Sequence, residues 1–163
     1  MEEVLKNGAE AADDTLKNRV LTFVIDNQFY GIELKNVIEI IGVQPITVVP
    51  GIPPYLKGII NLRGKVITVM DVRMKFDKPE KPFDERTCII VVEVNDFTVG
   101  LIVDMVDEVI NLTEENLAVT PNFNRVNANR YIKAIGKLGD QVRLIIDCDK
   151  LLNDNEHEPV AIA

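Results

Sequence analysis

Two aspartates, Asp71 and Asp147, each close an apolar run and stand at matching places in two similar stretches of the chain. Paired carboxylates that share one proton can carry out acid hydrolysis, because two like charges held side by side cannot both ionise. That chemistry wants small residues after each aspartate, whose hydroxyl and backbone donors hold the pair. Here the followers are Val72-Arg73 and Cys148-Asp149, so both aspartates read instead as strand ends that cap the turn beyond them. The run Gly58-Ile59-Ile60-Asn61-Leu62-Arg63-Gly64-Lys65-Val66 fails as a phosphate cradle. It carries one residue too many between its glycines, and Val66 stands where a magnesium-binding hydroxyl is needed. The segment from Asp147 to Asn153 starts like a calcium loop, but it puts an aliphatic side chain at the third ligand position and has no turn glycine. The only histidine, His157, lies in a polar tail, and there is no Cys-x-x-Cys. Zinc sites are thereby removed, and no base remains for a nucleophilic triad. The sequence predicts neither an enzyme nor a bound cofactor or metal.

The chemistry that remains is recognition. Arg63-Gly64 forms a two-residue turn between the apolar runs 58–62 and 66–70. Such a turn needs the glycine for its backbone angles but has no use for a long cation at the preceding position; Arg63 is either a solvated loop arginine, the reading that physics alone favours, or one that enters a partner's acidic or polar pocket. Gly31 and Gly100 each follow a hairpin; they serve either a close backbone approach or a bulge, and the bulge is favoured. Cys88 and Cys148 both sit in apolar runs and read as two buried free thiols in a reducing compartment.

These residues need elements to position them, and 163 residues with 47% hydrophobic, 27% charged and 6% aromatic side chains suffice for a core of their own. The net charge of −8 is concentrated at the ends, since residues 1–18 and 153–163 hold −6 of it. A nearly neutral body has no basic footprint, which argues against nucleic acid and anionic membrane as partners. Neither a secretion signal nor a membrane-length apolar run is present, so a cytoplasmic location without membrane insertion is expected.

Short β-branched runs closed by two-residue turn signals predict four hairpins, turning at Asp26-Asn27, Arg63-Gly64, Asn95-Asp96 and Gly139-Asp140. Helical signals are brief: residues 35–41 suit one or two turns or a strand, 113–116 a capped turn, and 148–152 a final turn. The prolines and charges of 77–82 read as a connection between halves. An internal repeat accompanies this order. An offset of 69 places Gly31, Val37, Glu39 and Ile41 on Gly100, Val106, Glu108 and Ile110. An offset of 71 places Val49-Pro50 on Thr120-Pro121, and one of 76 places Leu62, Val66 and Asp71 on Leu138, Val142 and Asp147. Open five-stranded sheets would leave aggregation-prone edges, so each unit is expected to close into a small barrel. The fold class is therefore all-β, two packed five-stranded barrels with short helical turns. Residues 1–18 form a flexible acidic tail, 19–82 the first half, 83–152 the second and 153–163 an acidic end. In the first strand, Leu21, Phe23 and Ile25 are expected to face inward rather than Val20, Thr22 and Val24, because they are larger and more apolar. Whether that strand stays in its own barrel is left open.

Several blocks in order resemble the chemotaxis coupling protein family CheW, over about residues 20–152. They are Tyr30-Gly31-Ile32; Lys35-Asn36-Val37-Ile38-Glu39-Ile40; Pro53-Pro54-Tyr55-Leu56-Lys57-Gly58-Ile59-Ile60-Asn61-Leu62-Arg63-Gly64; Val69-Met70-Asp71-Val72-Arg73-Met74-Lys75-Phe76; and Val99-Gly100-Leu101-Ile102-Val103-Asp104-Met105-Val106. The chain departs from the family at Thr68, where proline is frequent, at Val72, where leucine is usual, and in its longer N-terminal tail. The resemblance implies SH3-like barrels and a non-enzymatic adaptor. Such an adaptor couples the cytoplasmic tips of methyl-accepting chemoreceptors to the regulatory domain of the histidine kinase CheA, at receptor clusters on the inner face of the membrane. It further implies a partner-binding set of Val37, Glu39, Gly58, Arg63, Gly100 and Val106. A stand-alone β-barrel module that binds other proteins or peptides is the alternative, and an acid hydrolase using Asp71 and Asp147 is the rival from another class.

Overall fold

The computed structural model describes residues 18–118 and 128–153. Most of both acidic tails, His157 and the Thr120-Pro121 member of the repeat lie outside the described residues. All four expected hairpins form: β1 (Arg19–Ile25) with β2 (Gln28–Glu33), β4 (Leu56–Leu62) with β5 (Lys65–Asp71), β6 (Cys88–Val94) with β7 (Phe97–Val103), and β10 (Ile132–Leu138) with β11 (Gln141–Ile146). Three turns put both central residues at positive φ, namely Asp26-Asn27 (51° and 65°), Arg63-Gly64 (51° and 85°) and Asn95-Asp96 (50° and 68°). Such turns match the twist of the strands they join. Among the described residues the other strands are β3 (Val37–Gly42), β8 (Met105–Asn111) and the two-residue β9 (Leu117–Ala118), with short helices at Val72–Lys75 and Cys148–Leu152 and a 3-10 turn at Ala128–Tyr131. The ambiguous segment 35–41 resolves into a 3-10 turn at Leu34–Asn36 followed by β3, and the capped turn at 113–116 is present, with Asn116 Oδ1 accepting from the Thr113 N–H at 3.1 Å.

The strands form two sheets, ordered β8-β1-β2-β11-β10-β9 and β3-β6-β7-β5-β4, the two SH3-like five-stranded barrels with β9 added to one of them. Neither barrel is built from one half of the chain. The β1–β2 hairpin joins β8, β10 and β11, and the β6–β7 hairpin joins β3, β4 and β5. The open question about the first strand is thus answered by exchange, and the expectation that 19–82 and 83–152 each build their own barrel is corrected. The exchange is reciprocal. Phe23 lies opposite Val106, and Val37 opposite Val92, which are the same two repeat positions with the halves interchanged. Likewise Gly31 lies beside Ile145 on a parallel strand, and Gly100 beside Val69. The repeat therefore reaches into individual hydrogen bonds: the amides of Asp71 and Asp147 donate to the carbonyls of Tyr55 and Tyr131, each at 2.7 Å. Thr47 bridges Ile59 as Ala118 pairs with Ile135.

Hydrophobic burial falls into three clusters. Leu21, Phe23, Ile25, Tyr30 and Ile32 meet Ile90, Val92, Leu101, Phe76 and Tyr131 in a core that draws on both sheets. The first barrel is filled by Ile60, Ile67, Val69, Ile89, Val91 and Ile102, and the second by Val20, Ile110, Leu112 and Ile145. Phe23 is fully buried, as expected, but so is Thr22 and nearly so Val20. The choice of a single inward parity is thus corrected, because β1 is covered on both faces, by its barrel interior on one side and by the shared core on the other. Thr22 meets its hydrogen-bonding need at a bulge, where its hydroxyl donates to the Glu108 carbonyl at 2.7 Å and accepts from the Glu108 amide at 3.0 Å.

Candidate partner-binding surface

Arg63 occupies the tip between β4 and β5, and its side chain is 69% exposed. Its φ of 51° is left-handed, a region that Asn, Asp or Gly enters more cheaply than a long side chain. The turn therefore tolerates this arginine instead of asking for it. The guanidinium Nη2 donates to Glu39 Oε2. Glu39 lies on β3, at the opposite end of the sheet order from β4, so the pair bridges the two edges of the curled sheet. The other carboxylate oxygen, Oε1, is buried and has no hydrogen-bond partner among the described residues. On either side of Glu39 along β3, Ile38 and Ile40 are exposed. A paired cation at a hairpin tip, a carboxylate with an acceptor to spare and two apolar side chains thus share one edge.

The other expected residues are placed differently. Val37 and Val106, equivalent in the repeat, are partly buried against the shared core from opposite sheets. Gly58 and Gly100 are buried. Gly58 has φ of 140°, and a Cβ there would meet the Thr47 carbonyl oxygen at 2.1 Å. At Gly31 and Gly100 a Cβ would lie 2.4 Å from Val20 Cγ1 and 2.7 Å from Ile89 Cγ2. The strand irregularities fall instead at 21–23, 37–39, 56–58 and 132–134. The bulge reading of Gly31 and Gly100 is corrected: both exist for close approach of neighbouring strands.

Asp71 and Asp147 behave as caps. Their Oδ1 atoms accept from the amides of Met74 at 3.4 Å and Lys150 at 3.2 Å, opening the two short helices. Burial pushes the Asp71 carboxyl above its usual range, against the pull of the Met74 and Arg73 amides. Cys148 is buried, and desolvation drives its thiol up to about 12, far from a reactive thiolate. Cys88 is only half-buried, which corrects the expectation of two buried thiols, and its Sγ contacts the Arg86 carbonyl at 3.2 Å.

Sequence reading alone missed an ionic node between the barrels. Arg73 donates to Asp104 Oδ2 at 2.6 Å, to Asp26 Oδ1 at 3.4 Å and to the Pro79 carbonyl at 3.0 Å, while the Asp26 amide donates to Asp104 Oδ2 at 2.8 Å. It fastens the tip of the exchanged β1–β2 hairpin to the helix after β5 and to the connection 77–82. In the repeat the equivalent contact is neutral on one side: Asn95 Nδ2 donates to Asp149 Oδ1 at 2.8 Å. The repeat was the available signal, since 26 maps onto 95 and 73 onto 149. Also missed was a second glutamate–arginine pair. Glu108, the repeat mate of Glu39, is 61% exposed, and its arginine, Arg143, is inside the second barrel. The two barrels thus offer equivalent apolar positions, Ile40 with Val109 and Val66 with Val142, all exposed. Their charge is inverted, with the arginine outermost on the first and the glutamate outermost on the second.

Comparison with known proteins agrees with this architecture. A family model described as a CheW-like domain matches residues 19–156. The chain is 34% identical over 148 residues to a chemotaxis protein CheW of Klebsiella aerogenes, covering 91% of this chain and 89% of that one. It is 33% identical over 144 residues to the Bacillus subtilis protein of the same name, covering 88% and 92%. Among solved structures, the scaffolding protein TtCheW of Thermoanaerobacter tengcongensis superposes with a TM-score of 0.77 at 31% identity, covering 83% of this chain and 92% of that one. Matched by this family model over residues 19–156 and by these relatives along most of their own length, the chain belongs to the CheW-like family of chemotaxis scaffold proteins.

Proposed function

We propose that the chain is a non-enzymatic adaptor that couples the cytoplasmic tips of transmembrane chemoreceptors to the regulatory domain of the histidine kinase CheA, so that receptors control autophosphorylation. The working unit is residues 19–152, held in the cytoplasm at receptor clusters. Among the described residues no helix is long and apolar enough to cross a membrane. The observation that carries the reading is the edge at Arg63. A left-handed arginine paired to a glutamate with an unused buried oxygen, between exposed isoleucines, is poorly explained by fold stability, since an exposed ion pair contributes only about 0.2–1 kcal/mol. It suits a partner that supplies a donor to Glu39 and an acceptor to Arg63. Val37 and Val106 then present apolar surface, while Gly58 and Gly100 act through the backbone they allow.

The test is reconstitution of kinase autophosphorylation with receptor and kinase while this chain is titrated. A bridge saturated on both sides splits into separate binary complexes, so output should rise and then fall. A plateau with no descending limb would mean activation without bridging. No response, with capture of some other peptide by the same edge, would favour the stand-alone module.

A further inference from the structure

We propose that the mouth of the second barrel is an acceptor site for a carboxylate side chain of a protein partner, with the Arg143 guanidinium as its floor and Glu108 as a displaceable lid. The repeat shows first that the fold does not need this arginine. An offset of 76 places Arg143 on Ile67 and Gly136 on Ile60. In the first barrel Ile60 and Ile67 face each other across β4 and β5, both buried in the barrel interior. In the second barrel the same lateral pair is Gly136 and Arg143. An apolar pair satisfies this architecture in one copy, and a glycine with a buried cation has replaced it in the other.

The cation is under-served where it sits. Arg143 is 5% exposed, and neither Nε nor Nη1 has an acceptor among the described residues. Its Nη2 lies 3.7 Å from Glu108 Oε1, an ion pair without a hydrogen bond, and its Cζ is 5.5 Å from the centre of the Phe29 ring. A guanidinium presents five N–H donors in a planar fork that a carboxylate takes two at a time. Glu108 is held by its backbone, through both bonds to Thr22, while no hydrogen bond to its carboxylate is seen among the described residues. The lid can therefore swing away without breaking the β1–β8 pairing. Val109 and Val142, next in sequence to Glu108 and Arg143, are exposed. Together with the nearby acid Asp107 they make a rim that repels a free anion and rewards a carboxylate arriving on an apolar protein surface.

This inference rests on the adaptor reading, and three proteins test it: the wild type, Arg143→Met and Glu108→Gln, each titrated calorimetrically with the kinase regulatory domain and with a receptor cytoplasmic fragment. Arg143→Met should melt no lower than wild type, because it restores the apolar choice of the first barrel, yet bind one partner more than tenfold less tightly. Glu108→Gln removes the competing carboxylate and should tighten the same partner several-fold. Opposite effects of the two substitutions on binding are what a structural ion pair cannot produce. If both lower the melting temperature and neither changes either affinity, the pair is structural and the inference fails. If sodium acetate raises the wild-type melting temperature but not that of Arg143→Met, while both affinities are indifferent to Arg143, the site takes small carboxylates and the protein source is overturned. Failure of the wild type to bind either protein overturns the adaptor reading and this inference with it, whereas normal binding that ignores Arg143 overturns the inference alone.

Discussion

Arg63 shows how a single side chain can be separated from the fold that presents it. Asparagine enters left-handed backbone more readily than arginine, and the pair it would remove is exposed, so the two effects of Arg63→Asn on stability oppose each other. Its unfolding free energy should stay within about 0.5 kcal/mol of wild type. Loss of a paired guanidinium from a desolvated contact should weaken a partner by about 2 kcal/mol or more, over tenfold in Kd. Urea unfolding and calorimetric binding check the two halves of this statement, and parallel losses would make Arg63 structural. Asp71 illustrates the opposite case. Its folded carboxyl titrates above the unfolded one because burial disfavours the charge. Its proton-linked stability is therefore complete below the unfolded pKa and is lost as pH rises through the folded one. Asparagine keeps an acceptor for the Met74 amide without the charge, so Asp71→Asn should become progressively more favourable relative to wild type as pH rises from below the unfolded carboxyl's pKa through the raised folded one. Asp71→Ala should lose about 1 kcal/mol of capping. Unfolding measured at both ends of that range decides it; a relative trend in the other direction would mean that the amides outweigh burial.

At the scale of elements, the bulges and glycines are the joints of the barrels. Gly58 sits where β4 shifts register against β5, with backbone at φ 140° and the Thr47 carbonyl oxygen only 2.1 Å from where an added Cβ would lie. Gly58→Ala must therefore move one strand or the other, and both its backbone strain and the clash with main chain raise the cost, to more than about 3 kcal/mol. Thermal unfolding should show a large drop, accompanied by loss of binding. That joint loss is the contrast with Arg63→Asn. A stable, non-binding Gly58→Ala protein would instead place Gly58 in direct contact with a partner. The second barrel has Ala134 at the equivalent position, so the demand for glycine belongs to the first barrel, where the Thr47 carbonyl closes on Gly58.

At the scale of the molecule, each half of the chain is completed by the other. Among the described residues of 19–82, β3 pairs only with β6, and β5 pairs in parallel only with β7; among those of 83–152, β8 pairs only with β1, and β11 in parallel only with β2. The shared core is likewise assembled from both segments. A fragment of residues 19–82 should accordingly lack cooperative thermal unfolding, as should 83–152, while mixing the two should restore a sharp transition in circular dichroism. A cooperative melt of either fragment alone would show that its hairpin can close on its own half. The exchange also gives the adaptor its stiffness, since the two barrels cannot separate without breaking strand pairing in both.

What the sequence determined by itself was local and periodic. Hairpin positions were legible because two-residue turns need residues that accept positive φ, and Asp26-Asn27, Asn95-Asp96 and Arg63-Gly64 announce them within a few residues. The helix caps at Asp71 and Asp147 were legible because an aspartate closing an apolar run offers a side-chain oxygen to the amides of the turn that follows, and the repeat followed from aligning the turns. Arg63 was singled out because its turn had no need of it, although its left-handed backbone and its bond to Glu39 appear only in the fold. Only tertiary structure decided which sheet each hairpin joins, because backbone hydrogen bonds are chemically alike and the two halves offer nearly the same edges to each other as to themselves. It also decided that β1 is buried on both faces, that Gly31 and Gly100 admit neighbouring strands, and that Arg73 finds two aspartates distant in sequence. Arg143 is the sharpest instance: in the chain it is an arginine in an alternating strand, and its buried place is set by strands more than a hundred residues apart that close around it.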